Sequence, residues 1–247
     1  MLGVRELSLR YPNGKLALTD FNLSVAAGEF VVVLGGNGSG KTTLLRSITR
    51  AVKPAAGEVW LDGIDLCTLE GEKLRRARLA LAMIWQHASL VKRRSVLANV
   101  ATGTLGRHYT LRTVFGGLPA SELEAARSHL AEVGLAHLAE QRAGTLSGGQ
   151  AQRVAIARAL AQRPRVLLAD EPVASLDPEA AEEIMRLLQR LARSENIAVI
   201  CVLHQVEFAF AYADRVVGIR NGRIVFDLPR DQVPRDAVHR LYLPEAA

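Results

Sequence analysis

A glycine-rich segment early in the chain has the spacing of a phosphate-binding loop. It reads Leu34-Gly35-Gly36-Asn37-Gly38-Ser39-Gly40-Lys41-Thr42-Thr43 and matches the pattern GxxxxGK[ST]. Glycines let such a loop turn with its backbone N–H groups pointing inward, so the loop and the next helix N-terminus bind an anion. Lys41 would reach the β and γ phosphates of a nucleotide, and the Thr42 hydroxyl would ligate Mg²⁺. The segment predicts a nucleoside triphosphate site.

A second anion-binding pattern and a pair of carboxylates lie further along the chain. The pattern is Leu146-Ser147-Gly148-Gly149-Gln150, in which Ser147 is a good helix N-cap and the glycines would allow a phosphate to approach the backbone. The apolar run 166–169 then ends at Asp170 and Glu171. Asp170 suits a role on Mg²⁺ through water, and Glu171 suits a general base for an attacking water. Together these features predict hydrolysis of the bound nucleotide.

The elements that would position these groups indicate an α/β protein. The apolar run 29–34 predicts a buried strand before the loop, and Leu44, Leu45 and Ile48 have helical spacing after it. Strand-like runs at 4–9, 16–18 and 21–25 predict an antiparallel β layer, and residues 57–63 predict a short strand and turn after the helix. We also expect a helix at 121–133, a parallel strand from 166, helices near 178–193 and 205–212, and a hairpin of strands 215–220 and 223–227. The Asn221-Gly222 pair between those two strands favours a type I′ turn.

Taken in order, the motifs from about Val4 to about Asp227 resemble the ATP-binding subunits of ATP-binding cassette (ABC) transporters. The resemblance implies that Tyr11 stacks on adenine, that the Walker A loop is formed by Gly35, Gly36, Asn37, Gly38, Ser39, Gly40, Lys41, Thr42 and Thr43, and that the signature motif is formed by Ser147, Gly148, Gly149 and Gln150. It also implies nucleotide contact by the D-loop residue Asp177, Mg²⁺ ligation by Thr42, Gln86 and Asp170, and catalysis by Glu171 with His204 and Gln86. Two departures, Gly36 in place of a bulkier residue and Trp85 in place of Phe, remove no functional group.

The same resemblance implies a fold and an assembly. The expected fold is a P-loop ABC ATPase with a mostly parallel core sheet, an antiparallel β subdomain and an inserted α-helical signature subdomain. Residues 1–86 and 146–247 would form the nucleotide-binding core of one domain spanning 1–247, and residues 87–145 the helical subdomain. Two subunits would form a head-to-tail homodimer with ATP between the loop of one and the signature of the other. A membrane permease would hold the dimer at the cytoplasmic face of the inner or plasma membrane, and an extracytoplasmic solute-binding protein would deliver the solute.

Several of these residues have ordinary explanations when taken alone. Tyr11 precedes the turn signal Pro12-Asn13-Gly14 and could pack a hairpin end. His204 and Gln86 each end an apolar stretch, where a polar residue is common. Only the resemblance favours stacking for Tyr11, a place beside the γ-phosphate for His204 and the role of Q-loop glutamine for Gln86. The remaining histidines have no metal-ligand spacing and are interpreted as structural; they are His87, His108, His129, His137 and His239.

Composition narrows the class of protein. Cys67 and Cys201 are far apart and lack CxxC spacing, so neither a disulfide framework nor a zinc site is expected. No apolar run approaches the roughly 18 to 20 residues that span a bilayer, and the N-terminus does not open a signal peptide, so membrane attachment would come through a partner. The net charge is +6, but the basic groups at 73–78 and 92–94 lack interleaved aromatic residues. We therefore expect them to face nucleotide and lipid headgroups, with no direct binding of nucleic acid.

Segments outside the shared motifs resemble the phosphonate-importer ATPase subfamily. They are residues 90–100, 105–107, 110–112, 172–178, 204–206 and 222–227. Leu111 departs from that subfamily, which commonly has Trp there. The expected solute is a phosphonate, phosphite, hypophosphite or another phosphorus oxyanion, and no residue of this chain is expected to touch it.

Other classes share the nucleotide site. DNA-repair and chromosome-organising ATPases normally separate the two phosphate motifs by a very long coiled coil, whereas only a compact insert separates them here. Translation-associated ABC proteins ordinarily carry two cassettes and a linker. The ATPase of another importer, or a non-transport ABC accessory of phosphonate breakdown, stays an open alternative.

Overall fold

The computed structural model describes residues 1–11, 14, 16–108 and 117–243. The strands are β1 (Leu2–Arg10), β2 (Leu16–Val25), β3 (Phe30–Leu34), β4 (Ala56–Leu61), β5 (Ile64–Asp65), β6 (Leu81–Ile84), β7 (Val166–Asp170), β8 (Ala198–Val202), β9 (Arg215–Arg220) and β10 (Arg223–Pro229). The α-helices within these residues are α1 (Lys41–Ile48), α2 (Gly71–Arg78), α3 (Val96–Ala101), α4 (Ala120–Glu132), α5 (Gly148–Ala161), α6 (Pro178–Ser194), α7 (Val206–Tyr212) and α8 (Arg235–Arg240).

The central sheet has the strand order β10-β9-β3-β8-β7-β6. Every neighbouring pair from β9 to β6 is parallel, and only the β9–β10 hairpin at the edge is antiparallel. The carboxyl ends of β3 and β7 therefore open onto the same edge of the sheet, separated by β8. Open parallel sheets bind ligands at that edge, and both the phosphate loop and the two carboxylates follow strands that end there.

A second, antiparallel sheet with the order β2-β1-β4-β5 covers one face of the core. Strand β3 is buried along its whole length, so its side chains alternate between two apolar layers. Val31 and Val33 pack in the layer that contains Phe21 of the antiparallel sheet and helix α1, whereas Phe30 and Val32 pack in the layer that contains helices α3 to α8. The predicted α/β architecture, with a mostly parallel core sheet and an antiparallel layer, is confirmed.

Helices fill the interval between β6 and β7. Helices α3 and α4 pack against each other and against α5, which carries the signature motif at its start. Helix α4 corresponds to the helix predicted at 121–133, and no strand is assigned between β6 and β7 in the residues described there. The predicted segment 110–112 and the turn residues Pro12 and Asn13 lie outside the described residues.

Other elements differ from the prediction. Strand β2 is continuous, although the sequence predicted a break at 19–20. Asp20 lies within the strand with a positive φ of 47°, and the pairing of β2 with β1 has a register shift beside it. Helix α2 was not predicted, since none of its residues is buried and it has no apolar face to create a periodic signal. Helix α8 lies beyond the last predicted element. No described helix is both long enough and apolar enough to cross a bilayer.

Candidate functional site

The phosphate loop begins where β3 ends, and its glycines are required by the backbone around them. Gly40 has a φ of 111°, and a Cβ atom there would lie 2.6 Å from the carbonyl oxygen of Ala17. A Cβ atom at Gly35 would lie 2.4 Å from the carbonyl oxygen of Ile219. Side chains at these two positions would clash with backbone, so the loop can keep this path only with glycine.

Lys41 lies at the first position of α1 with its ammonium group turned back into the loop. Its Nζ atom donates hydrogen bonds to the carbonyl oxygens of Gly35, at 2.7 Å, and Gly36, at 3.0 Å. Burial lowers the pKa of Lys41, and the carboxylates of Glu171 and Asp170 partly oppose that change. A phosphate oxygen could replace the two carbonyl acceptors without leaving the ammonium group unpaired.

Thr42 and Asp170 meet across the gap between α1 and the end of β7. The Thr42 hydroxyl donates a hydrogen bond of 3.2 Å to Oδ1 of Asp170, which is buried. Burial raises the pKa of the Asp170 carboxyl, while the bond from Thr42 acts in the opposite direction. A hydroxyl and a carboxylate at this separation are the hard oxygen donors that Mg²⁺ prefers. These two predicted metal ligands therefore fit the ion and would hold it beside the phosphate loop.

Glu171 and His204 are brought together from the ends of two adjacent strands. His204 Nε2 and Glu171 Oε1 are 2.6 Å apart and share a hydrogen bond. The Glu171 backbone has a positive φ of 51°, which is unusual for a residue with a side chain, and its N–H donates to the Val202 carbonyl oxygen at 3.1 Å. Strain of this kind is stored at functional sites. It turns the carboxylate out of the strand direction and toward the histidine.

A cavity of about 330 Å³ joins these groups. Its lining residues are Tyr11, Ala17, Asn37, Gly38, Ser39, Gly40, Lys41, Thr42, Thr43, Glu171 and His204. The Tyr11 hydroxyl is 3.0 Å from the Thr43 hydroxyl, which fixes the aromatic ring at the mouth of the loop. Ala17 was not predicted; it is a small residue in an amphipathic strand and carries no chemical signal of its own. Residues 37–43 of the predicted loop, Glu171 and His204 thus line one site, whereas Gly35, Gly36 and Asp170 lie behind its lining.

Gln86 lies outside that lining. It follows β6 and is exposed, and the segment around it is held by the signature helix α5. The buried Gln152 donates a hydrogen bond to the Trp85 carbonyl oxygen at 3.1 Å. Arg158 donates to the carbonyl oxygens of Ala88, at 2.7 Å, and Ser89, at 2.9 Å. Neither helix residue was predicted, because the carbonyl groups that they bind lie about 70 positions earlier in the chain.

The signature motif also lies apart from the cavity of its own chain. Ser147 caps α5 in a capping box with Gln150, in which each side chain accepts from the other residue's backbone N–H. Gly149 is buried, and a Cβ atom there would lie 2.9 Å from the Cβ of Ala180. Asp177 caps α6 by accepting from the Ala180 N–H at 3.0 Å. The second glycine therefore has a packing role between two helix starts, in addition to any role toward phosphate.

Two of the segments that resemble the importer subfamily, 90–100 and 105–107, form part of the helical framework. Asn99, which is 1% exposed, accepts a hydrogen bond from the Val91 N–H at 2.7 Å and donates one to the Val91 carbonyl oxygen. Arg107 donates to Glu122 at 2.9 Å and to the Ala161 carbonyl oxygen. These contacts fix the loop after β6 and join α4 to the end of α5, which explains the residue types in structural terms.

Comparison with known proteins places the chain among ATP-binding cassettes. A family model described as ABC transporter matches residues 18–174. The chain is 44% identical to the phosphonates import ATP-binding protein PhnC 2 of Halalkalibacterium halodurans, over 98% of this chain and 99% of that protein. It is 48% identical to the phosphite import ATP-binding protein PxtA of Stutzerimonas stutzeri, over 98% of this chain and 87% of that protein. Among solved structures, the chain is similar to the ATP-binding cassette MJ0796, which is dimeric in a post-hydrolysis state bound to ADP and Pi. The TM-score is 0.79 and the identity is 32%, over 93% of this chain and 99% of that chain.

Proposed function

Because this chain belongs to the ABC transporter family of ATPases, we propose that it is the ATP-hydrolysing subunit of an importer for a phosphonate or a related phosphorus oxyanion such as phosphite. The observation that carries the ATPase part is the single cavity in which Lys41, Glu171 and His204 meet. The observation that supports the solute is near-full-length identity to phosphonate and phosphite import subunits. In this proposal separate permease subunits carry the solute, so no residue of the chain needs to contact it.

Each residue of the cavity has a separate role in ATP hydrolysis. The loop N–H groups and Lys41 bind the phosphates, with Lys41 exchanging its two carbonyl acceptors for phosphate oxygens. Glu171 takes a proton from the water whose oxygen attacks the γ-phosphorus, as the bond from that phosphorus to the β–γ bridging oxygen breaks. His204 fixes the orientation of the Glu171 carboxylate. When bound between Thr42 and Asp170, Mg²⁺ would neutralise charge that develops on the phosphate oxygens.

The site becomes complete only with a second copy of the chain. Ser147, Gly148 and Gln150 are not lining residues of their own cavity, and Ser147 and Gly148 are exposed. In a head-to-tail homodimer they would cap the ATP bound by the partner, in keeping with the dimeric state of the similar cassette MJ0796. The helical segment 87–145 would move with the signature as a subdomain of the single domain 1–247. ATP would then hold the two chains together, and hydrolysis would release them.

We propose that permease subunits couple ATP hydrolysis by this chain to transport of the solute. The exposed Gln86 segment, held by Gln152 and Arg158 on the signature helix, offers them a surface whose position depends on that helix. This arrangement would hold the dimer at the cytoplasmic face of the membrane as a peripheral subunit. An extracytoplasmic solute-binding protein would supply the oxyanion to the permease.

Uptake by the reconstituted complex tests this function. The chain is purified with its permease and binding protein, placed in liposomes with ATP inside the compartment that holds the cassette, and offered labelled solutes. We expect uptake of alkylphosphonate, phosphite or hypophosphite, and loss of uptake with Lys41→Ala. Transport of an amino acid, sugar or metal ion with no phosphorus oxyanion carried would refute the solute while leaving the ATPase intact. Failure to co-purify with any permease would favour a non-transport accessory role.

A further inference from the structure

The start of the signature helix α5 packs against the start of α6, the helix that follows the D-loop residue Asp177. A Cβ atom added at Gly149 would lie 2.9 Å from the Cβ atom of Ala180. A Cβ atom added at Gly148 would lie 3.2 Å from Cδ2 of Leu176, the residue before Asp177. Both glycines of the signature motif therefore lie directly against residues that flank Asp177.

Ala180 joins the two motifs through its backbone and its side chain. Its N–H donates a hydrogen bond of 3.0 Å to Oδ1 of Asp177, which is the N-cap of α6. Its Cβ atom faces Gly149, the second residue of α5. One residue thus sets both the position of the Asp177 carboxylate and the approach of the signature backbone.

An ion pair joins the same two helix faces about one turn further along. Arg153 follows Gly149 by four residues, and Glu183 follows Ala180 by three, so each pair shares one face of its helix. Arg153 Nη2 lies 3.3 Å from Glu183 Oε2. The contact between α5 and α6 therefore extends beyond the first turn and holds the two helix starts at a fixed spacing.

This contact, and not the backbone conformation, requires glycine at position 149. The φ angle of Gly149 is negative, as in any helix, so other residues could adopt it. Apart from its chain neighbours and the backbone of its own helix, the described heavy atoms within 4 Å of an added Cβ are Cβ of Ala180, at 2.9 Å, and Cα of Ala180, at 4.0 Å. Carbon atoms prefer separations of about 3.5 to 4.0 Å. Alanine at position 149 would therefore push α5 and α6 apart, and loss of the Ala180 Cβ would relieve the clash.

We propose that Ala180 is a positioning residue for ATP hydrolysis, which fixes the spacing between the signature motif and Asp177 so that both reach the partner's nucleotide as one unit. Ser147, Gly148 and Asp177 are exposed and lie outside the lining of the cavity in their own chain. Misplacement of such groups by about 1 Å can lower a rate on the order of 10²-fold. The inference rests on the proposed composite site.

Addition of one methyl group and removal of the methyl group opposite it test this spacing. Gly149→Ala should lower kcat by about 10- to 100-fold, because the signature motif moves relative to Asp177. Helix propensity acts in the opposite direction, since alanine is the better helix former. Ala180→Gly removes the opposing Cβ, so the double variant Gly149→Ala/Ala180→Gly should recover kcat to within about 3-fold of Ala180→Gly alone. The matched control is Ala181→Gly, the same change at a residue more than 4 Å from the added Cβ, which should not restore kcat.

The experiment measures kcat, ATP affinity of the isolated chain and melting temperature for wild type, the three single variants, both double variants and Lys41→Ala. Recovery of kcat in Gly149→Ala/Ala180→Gly but not in Gly149→Ala/Ala181→Gly, with ATP affinity kept, supports the positioning role. Wild-type kcat in Gly149→Ala, equal recovery in both double variants, or no recovery in either overturns it. Unaltered ATP affinity in Lys41→Ala would instead refute the ATP site itself, so the two failures are distinguishable.

A variant with an unchanged signature motif keeps the proposal testable if Gly149→Ala does not fold. Ala180→Val adds two methyl groups on the α6 side of the contact, and its homodimer should hydrolyse ATP slowly. Because the defect should act on the partner's nucleotide, a heterodimer of Ala180→Val with Lys41→Ala should recover ATPase activity above both homodimers. Recovery by the heterodimer of Ser147→Arg with Lys41→Ala, but not by this one, would mean that Ala180 acts within its own chain, which contradicts the proposal. Wild-type turnover by the Ala180→Val homodimer would contradict it as well.

Discussion

His204 Nε2 lies 2.6 Å from Oε1 of Glu171, so the residue assigned as general base already has one oxygen engaged by a neighbouring side chain. The other carboxylate oxygen stays available to accept a proton from water. Both residues lie half-buried at the ends of adjacent parallel strands, and the strained Glu171 backbone directs its side chain to the histidine. The pair is thus an orienting unit, in which His204 selects one rotamer of the base.

His204→Ala should therefore lower ATP hydrolysis by about 10- to 100-fold, which is part of the usual contribution of a positioned acid–base group. ATP affinity should change little, because the phosphate loop is untouched. Steady-state hydrolysis and ATP binding measured on the same preparation check this. The control is His137→Ala, which removes an exposed histidine from the helical segment. A His204→Ala variant with wild-type turnover would contradict the orienting role.

The composite site predicts complementation between two inactive variants. Lys41→Ala removes the phosphate contact of its own chain, and Ser147→Arg blocks the cap that would act on the partner's nucleotide. Their heterodimer has one site with an intact loop and an intact signature, so hydrolysis should recover above both homodimers. The measurement is ATPase activity of mixed, differently tagged chains after isolation of the heterodimer. No recovery in a confirmed heterodimer, with single-site turnover shown to be possible, would count against two composite sites.

The hydrogen bonds from α5 to the segment after β6 predict a coupling defect. Arg158→Met should release the carbonyl oxygens of Ala88 and Ser89 and lower the free energy of unfolding by about 1 to 3 kcal/mol, since a charged donor is lost from a largely buried site. Solute-stimulated ATPase in the full transporter should fall more than ATP affinity. Urea unfolding and stimulated turnover check the two parts. Arg163→Met, which changes an exposed arginine just after α5, is the control and should affect neither.

Glu122 predicts a pH-dependent contribution to stability. It pairs with Arg107 and His108, and although its burial acts in the raising direction, the hydrogen bonds and charges of those two partners lower the pKa of its carboxyl below 4.5. A lowered folded-state pKa means that the stabilisation is present above pH 4.5 and is lost as the pH falls through the folded value.

Glu122→Gln should accordingly lower the free energy of unfolding by about 1 to 3 kcal/mol at neutral pH, since Arg107 loses its charged acceptor. The difference from wild type should shrink in acid below the ordinary pKa of a glutamate. Urea unfolding at a series of pH values measures it. Glu124→Gln, on the exposed face of the same helix, is the control and should show no such dependence. A difference that stays constant in acid would rule out the ionic explanation.

The sequence alone was sufficient to predict the structure wherever local backbone geometry determines the residue type. The phosphate loop needs glycine where a Cβ would meet backbone, and Asn221 and Gly222, with φ of 51° and 73°, make the tight hairpin turn that the pair predicted. The fold class followed from such segments because β3, β7 and β8 are buried along their whole length and are recognisable in the sequence as apolar runs. The same reasoning predicted which strand ends would carry the carboxylates and the histidine.

The features that the sequence did not predict depend mostly on contacts between residues far apart in the chain. Gln152 and Arg158 acquire their role from carbonyl groups about 70 positions earlier, which no local pattern indicates. The packing of Leu241 against the phosphate loop is of the same kind, since its carbonyl oxygen would lie 3.3 Å from a Cβ atom added at Gly36. Helix α2 escaped prediction for the opposite reason, because an element with no buried face leaves no periodic apolar signal.

The most direct test of the catalytic assignment is the rate of ATP hydrolysis by Glu171→Gln, measured together with ATP binding on the same protein. The amide has nearly the same shape but cannot accept the proton of the attacking water, so hydrolysis should fall by about 10²- to 10⁴-fold. ATP binding should persist, and the variant should accumulate as an ATP-bound dimer in size-exclusion chromatography. Near-normal turnover by Glu171→Gln, with ATP bound, would contradict the assignment of Glu171 as the base.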